Sequence, residues 1–439
     1  MLKKLPNEIT ANPKKVILQF FELNETRTRR IINFVLSLPK NNVKKNLENV
    51  FIEFSSRHRH FEEIILSHYK KIEKYIHPDT VPNLEQKLLL GSYFSKEYSI
   101  SSAALFNPSI VVHPDQSDAE NGSLKFVMSM RATGEGHISS IVFEEGIVDK
   151  NGSITLKEKT NYSCLPVKTL LTSKDLKAEK KIYKDQSLID DEELTSSNYK
   201  CKFNSKIPLN ERVLFPSSPS EIVGMEDVRL VRLVEGQNKV KYIGTYTAYN
   251  GRTFRTQFIE TEDFSEFSIR RLYGKAINDK GMALFPRKIK NKFVMTSRQD
   301  GENLFLMYSD NLYHWDEAEI IKTPQNAWDL IQLGNCGSPI ETDDGWLLIT
   351  HAVGPVRKYV VSALLLDLDD PSKIIGSLSE PLIQPNKQER EGYVPNVVYS
   401  CGSIMHKKYL IIPYAFSDSG CRFAKIQIKK LLQRLKNFN

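Results

Sequence analysis

The stretch Asp343-Asp344-Gly345-Trp346-Leu347-Leu348-Ile349-Thr350-His351 sets a turn signal directly before a short apolar run. Acidic residues followed by glycine reverse a chain, and a run of this length bounded by turn residues reads as a buried strand rather than a helix. Similar runs lie on both sides. Strands are expected at Leu124–Met130, Ile138–Glu144, Val240–Tyr249, Thr256–Glu260, Phe293–Ser297, Leu304–Tyr308, Val360–Leu366, Ser403–His406 and Tyr409–Tyr414, with Asn250-Gly251 and Asp300-Gly301 among the turns. Asn291-Lys292-Phe293 repeats the order of turn doublet and aromatic. The groups recur roughly every fifty to sixty residues without long helices between them. That is the texture of a propeller of small sheets, and on pattern alone other all-β arrangements stay open.

Ahead of residue 100 the texture is helical. Asn24 suits the cap of a helix over Arg29–Leu38 that Pro39 ends. Val43, Leu47, Val50, Phe51, Phe54, Phe61, Ile64, Ile65, Tyr69 and Ile72 then follow mostly at spacings of three and four, an amphipathic stripe of helical period. A further helix is expected over Leu84–Tyr93. Arg57-His58-Arg59-His60 falls within the stripe, where near neighbours point to different faces, and reads as ordinary polar surface or interface. The far end, Phe423–Phe438, reads as a last strand and a basic helix. The expected organisation is an N-terminal helical extension over 1–98 and a β-rich domain over 99–439 ending in a short helix.

Bulk properties narrow the function. With 40% hydrophobic and 26% charged residues, the 439-residue chain has the make-up of a folded globular protein. No apolar run is long enough for a secretory signal or a membrane span. The five cysteines are odd in number, widely spaced and free of a C-x-x-C pair, which argues against a disulfide framework and a zinc site. A cytoplasmic location is expected. The net charge of +8 gathers near the ends and forms no stripe interleaved with aromatics, so a nucleic-acid partner is not expected. The nine histidines show no metal-binding spacing, and no metal is expected.

The chemistry gathers in turns. Asn107-Pro108-Ser109, Arg131 through His137, Gly224 through Arg229, Tyr246 through Tyr249, Arg298 through Glu302, His351 and Asp418 all fall at strand edges or turns. In Gly224-Met225-Glu226-Asp227-Val228-Arg229 two adjacent carboxylates precede an arginine. Strand alternation would put Asp227 and Arg229 on one face, letting Arg229 orient or ionise one acid while its neighbour takes another environment. Splitting two carboxyls in this way provides a proton donor near neutral pH. A structural salt bridge is the bland alternative.

Together with Phe106-Asn107-Pro108-Ser109, Tyr246-Thr247-Ala248-Tyr249, Ala283-Leu284-Phe285-Pro286, Gly345–His351, Leu365 through Pro371 and Val394-Pro395-Asn396-Val397-Val398, this segment resembles glycoside hydrolase family 130. The family comprises inverting β-mannoside phosphorylases and related β-mannosidases. The ordered match, from about residue 100 to 425, implies a five-bladed β-propeller acting on mannose-containing oligosaccharides. By position it implies Asp227 as the general acid, and Asn107, Arg131, Glu226, Arg229, Tyr249 and Asp418 at or beside sugar-binding positions. It implies no cofactor, with inorganic phosphate as co-substrate if the chain is a phosphorylase.

Inverting phosphorolysis needs a cationic cradle, and inverting hydrolysis a carboxylate base. At the positions of the family's phosphate site stand Lys280, Arg298 and His351. Gln332 replaces an expected lysine, and Glu341 stands where many phosphorylases carry lysine. Glu302 adds an acid near the cradle. An acid there repels phosphate and suits water activation, which favours hydrolysis, with Glu302 or Glu341 as base. The alternative is a phosphorylase releasing mannose 1-phosphate, and the third reading a sugar-binding propeller without turnover. Tyr393, where phosphorylases tend to show aspartate, bears on the acceptor side. The helical stripe suits a homo-oligomer or packing within the chain.

Overall fold

The computed structural model describes residues 2–183, 190–236 and 239–436, so the expected helix end at Phe438 lies outside the described residues. The chain is mainly β and divides into two compact units. One comprises Asn12–Ser102 with Thr160–Cys164, the other Met1–Ala11, Ala103–Lys159 and Leu165–Asn439.

The smaller unit has helices Glu25–Ser37, Lys40–Phe54, Phe61–Ile72 and Leu84–Tyr93. Asn24 caps the first by accepting from the Arg27 amide at 3.0 Å, and an Asn83–Gln86 capping box starts the last. The continuous stripe read from sequence is broken at residues 55–60. Ser55 Oγ donates to the Phe51 carbonyl at 2.6 Å, a side-chain bond that competes with the helix ladder, and His60 turns left-handed at φ 58°. Of that run, His58 faces inward. Its ring is buried against Phe61, with Nε2 2.8 Å from Glu97 Oε1. The helical reading also fails before residue 20. Lys3–Thr10 and Val16–Phe20 are strands, paired with Gly420–Gln427 and Ser95–Ser99 far along the chain, and the Leu5–Ile9 spacing of four fits either structure.

The larger unit is a series of antiparallel sheets. The first runs Ala104–Val112, Leu124–Thr133, Ser139–Val148. The second runs Gly224–Glu235, Lys239–Tyr249, Phe254–Thr261, Glu266–Arg271, then takes up Tyr199–Lys202 and Val167–Leu170. The third is Lys280–Leu284, Phe293–Arg298, Leu304–Ser309, Ala318–Lys322. The fourth is Gln332–Asn335, Gly345–Gly354, Lys358–Leu366, Ile374–Ser377. The fifth is Val398–Tyr399, Tyr409–Phe416, Gly420–Gln427 and, from the opposite end of the chain, Lys3–Thr10. One parallel bridge, Gly224 to Ser139, joins the first sheet to the second. Helix Ile428–Lys436 follows the fifth, while helices Ser173–Ile182 and Asp191–Ser197 interrupt the second and were not legible in the sequence.

The core lies between consecutive sheets. Phe143 of the first meets Val228 and Tyr242 of the second, and Ile243 and Phe258 meet Met282 and Met295 of the third. Leu304 and Leu306 then meet Trp346 and Leu348 of the fourth, whose Leu347 and Val361 meet Leu410 and Ile412 of the fifth. Trp346, in the turn–strand stretch quoted first, is fully buried and donates from Nε1 to the Leu368 carbonyl at 3.1 Å. Removing such a ring costs about 3–5 kcal/mol. The preceding Gly345 sits at φ 147°, and a Cβ there would lie 2.4 Å from the Leu366 carbonyl oxygen, so the turn requires glycine.

One local device repeats. In the first strand of the first, second and third sheets the register slips, two residues standing against one between Phe106 and Ser109, Glu226 and Arg229, and Lys280 and Ala283. Each bulge holds a left-handed residue, Asn107 (φ 52°), Asp227 (φ 55°) and Gly281 (φ 85°). Bulges re-aim side chains and gather beside active sites, and left-handed Asn and Asp mark strain worth a functional explanation. Among the described residues no helix is long and apolar enough to cross a membrane, and all five cysteines are buried.

Candidate active site

The bulges at Asn107 and Asp227 bring two distant segments into one hydrogen-bonded group. Asn107 donates from Nδ2 to Asp227 Oδ1 at 2.6 Å. Arg131, from the second strand of the first sheet, donates from Nη1 to that oxygen at 3.2 Å and from Nη2 to Glu226 Oε1 at 2.7 Å. Its Nε donates to Ser139 Oγ at 2.9 Å, and its guanidinium lies over the Phe106 ring at 5.0 Å. One arginine is thus oriented on every side and neutralises two adjacent acids.

The acids differ as the sequence suggested, through different partners. Burial alone would raise the Asp227 pKa, but the charges of Arg131, Lys280 and Arg229 and the Asn107 hydrogen bond outweigh it and hold the carboxyl below the usual range. Burial raises the neighbouring Glu226, Arg131 offsets this, and the charge of Asp227 adds to the rise. Asp418, in the turn Ser417-Asp418-Ser419 of the fifth sheet, is pushed up to about 7 by burial and the charge of Asp227, against Arg131 and Arg357.

Arg229 acts on Asp227 through its charge and through the main chain, not through a side-chain pair. The bulge breaks strand parity, so Arg229 does not share a face with the Asp227 carboxylate. Its Nη1 donates to the Asp227 main-chain carbonyl at 2.8 Å, Nη2 to Tyr399 Oη at 2.9 Å and Nε to Asn335 Oδ1 at 3.1 Å. Arg131 is the arginine that pairs with the acids.

A second group lies across the third and fourth sheets. Lys280 and Arg298 stand opposite each other in the register, and Lys280 Nζ lies 4.8 Å from the centre of the Phe254 ring. Phe254 stacks on Tyr249, with ring centres 4.5 Å apart. Arg298 Nη2 is 3.8 Å from Asp279 Oδ2, and its buried Nε has no hydrogen-bond partner among the described residues. His351 is not the cation expected. Burial and the charges of Arg298 and Arg229 drive its pKa well down. With Nδ1 3.0 Å from the Asn335 carbonyl, the ring proton belongs on Nδ1, and Nε2 accepts from Gln332 Nε2 at 3.1 Å and Arg298 Nη1 at 3.4 Å. Gly334 makes room for the ring, since a Cβ there would lie 2.5 Å from His351 Cε1.

The two expected bases are both exposed, and only Glu302 adjoins these groups, its carbonyl accepting from the Leu333 amide at 2.9 Å. Arg287 holds Glu341 through Nε–Oε2 at 2.8 Å, with both side chains more than 40% exposed, because strand Ile340–Thr342 turns Glu341 toward the edge opposite Trp346. Glu302 is exposed on the turn capped by Asp300. Near the acids, the Tyr393 hydroxyl meets His137 Nδ1 at 2.7 Å, and the Tyr393 amide donates to Ser419 Oγ at 3.2 Å. Sequence reading missed Asn335, which ties Arg229 to Gly281 by accepting from one and donating to the carbonyl of the other at 2.6 Å. Its Asn335-Cys336-Gly337 setting, a turn with Gly337 at φ 103°, was the available signal. Among the described residues no cluster of three or more His, Cys, Asp or Glu could hold a metal.

A family model described as beta-1,4-mannooligosaccharide phosphorylase, glycoside hydrolase family 130, matches residues 182–437. The chain belongs to that family. It is 33% identical over 228 residues to a 1,2-beta-oligomannan phosphorylase of Thermoanaerobacter sp. (strain X514), covering 51% of this chain and 75% of the relative. A beta-1,2-mannobiose phosphorylase of the same organism is 34% identical over 223 residues, covering 50% and 72%. The solved beta-1,2-mannobiose phosphorylase of Listeria innocua in complex with beta-1,2-mannobiose shares the fold, with a TM-score of 0.52 at 20% identity over 77% of this chain and 93% of that one. This member of family 130 is accordingly an enzyme of glycosidic-bond chemistry, and the family's phosphorylases use phosphate as co-substrate without an indicated metal cofactor.

Proposed function

We propose that this protein is an inverting β-mannoside phosphorylase, transferring a mannosyl group from a β-mannooligosaccharide to inorganic phosphate. The observation that carries the reading is the basic group: Lys280 opposite Arg298, with an unpartnered buried Arg298 Nε–H and a neutral His351 beside it. Positively placed donors of this kind favour an oxyanion over water. Hydrolysis, favoured from sequence, loses its support, because Glu341 is bound to Arg287 at an exposed edge and Glu302 is exposed. The names of the Thermoanaerobacter relatives point the same way and make a β-1,2 linkage the first to assay.

In this reading Asn107, Arg131, Glu226 and Asp227 bind the mannosyl group undergoing transfer, Asp227 in the position of the acid. Tyr249 and Asp418 line the sugar site. Lys280, Arg298, Gln332 and His351 receive phosphate, with Arg229 bracing the Asp227 main chain. The five sheets are proposed as five propeller blades. Supporting this are the packing of each sheet on the next, the Phe126–Phe423 ring contact between the first and fifth (6.1 Å), and Lys3–Thr10 completing the fifth. The helical residues are proposed as an appendage ending near residue 98, with self-association as its role, measurable by light scattering. A cytoplasmic setting suits a reaction that conserves bond energy as a sugar 1-phosphate.

Incubating the protein with β-1,2- and β-1,4-mannobiose, with and without phosphate, tests the reading. Mannose 1-phosphate is expected only with phosphate. Release of free mannose at an equal rate without it refutes the phosphorylase.

A further inference from the structure

One buried side chain links the strand that carries the acids to the strand that carries Lys280. Asn335 ends the first strand of the fourth sheet and is 1% exposed. Its Oδ1 accepts from Arg229 Nε and from the Gly337 amide, each at 3.1 Å, and its Nδ2 donates to the Gly281 carbonyl at 2.6 Å. A guanidinium or main-chain N–H can only donate and a carbonyl can only accept, so these partners allow the amide a single orientation.

Two of the partners serve bulges. Arg229 passes the hold on, donating from Nη1 to the main-chain carbonyl of Asp227, the left-handed residue of the second sheet's bulge. Gly281 is the left-handed residue of the third sheet's bulge and directly follows Lys280. A Cβ on Gly281 would lie 3.9 Å from Arg229 Nη2, so the two bulges approach each other around one guanidinium. The ladder is interrupted at a bulge, and the direction of its residues has to be fixed by bonds from outside the ladder. Asn335 supplies such a bond to one bulge directly and to the other through Arg229. Its own main-chain carbonyl meanwhile accepts from His351 Nδ1 at 3.0 Å, inside the basic group.

We propose that Asn335 is a positioning residue of the reaction, setting the spacing between the sugar held at the Asp227 bulge and the phosphate held beside Lys280 while touching neither. This rests on the phosphorylase reading. Transfer between two bound reactants depends on their separation and alignment, and a misplacement of about 1 Å costs on the order of 10²-fold in rate. Without the amide each site keeps its own contacts. Arg131 and Asn107 still hold the acids, and Arg298 keeps its open Nε–H. What is lost is the registration of one site against the other.

Asn335→Ala removes both links, and Asn335→Ser leaves a hydroxyl too short to span Arg229 and Gly281 together. For each variant kcat for phosphorolysis of β-mannobiose is expected to fall about 10²-fold, while calorimetric dissociation constants for inorganic phosphate alone and for mannobiose alone stay within about threefold of wild type. A merely structural role lowers the fraction of protein able to bind, so stoichiometry would fall together with kcat. That result, or an unchanged kcat, overturns the proposal. So does a weakening of either ligand as large as the fall in kcat, which makes Asn335 part of that one site. Failure of both variants to fold makes Asn335 a structural group and overturns it as well. If wild type forms no mannose 1-phosphate, the phosphorylase reading fails and takes this proposal with it. If wild type forms the ester and the variants keep its kcat, the proposal falls alone.

Discussion

The acidic group around Arg131 and the basic group around Arg298 are each organised by one arginine, but in opposite ways. Arg131 uses all three of its nitrogens on Ser139, Asp227 and Glu226, so its group is complete without substrate. Arg298 keeps a buried Nε without a partner, touches His351 at a long 3.4 Å and meets Asp279 only at 3.8 Å. A buried donor left unmade costs roughly 1–3 kcal/mol, which a folded chain retains where a ligand will accept it. On the proposed reading the first arrangement shapes a sugar site, and the second awaits an anion.

The same substitution in each group separates these roles. Arg131→Met removes the partner of two largely buried carboxylates. It should destabilise the fold by about 3 kcal/mol, visible in denaturant unfolding, and abolish turnover. Unaltered stability would mean that the acids do not depend on Arg131. Arg298→Met should barely change unfolding but raise the KM for phosphate about 10²-fold, with the KM for mannobiose within twofold. Equal effects on both KM values would erase the distinction. The smallest effect is expected of Glu341→Gln, whose partner Arg287 is exposed. Stability should change by less than about 1 kcal/mol and turnover by less than twofold, and a large loss of turnover would bring back the carboxylate base.

Legibility in the sequence follows the same division. The central strands of the third sheet, Phe293–Arg298 and Leu304–Ser309, were readable because Asp-Gly and Asn-Lys turns bound uniform apolar runs. The first strands of the third and fourth sheets, Lys280–Leu284 and Gln332–Asn335, were not, being short and glycine-bearing. Most residues that meet around Arg131 and Arg298 were listed from sequence, yet their pairing was not. The bulge at Asp227 inverts the alternation on which the Asp227–Arg229 pairing rested, and nothing local reveals that extra residue. Likewise, Glu341 looked like a site acid until Arg287, 54 positions away, was found to hold it.

The strand Lys3–Thr10 ties Glu8 to Arg422 at 2.7 Å across 414 residues of sequence. During synthesis its backbone edge must wait, unpaired, for nearly the whole chain to emerge, and closing so long a loop is slow. The fifth sheet is therefore a late and cooperative event in folding. Until it forms, Asp418, borne on that sheet's last hairpin, has no fixed place, so the proposed sugar site is complete only once Lys3–Thr10 and Gly420–Gln427 have met.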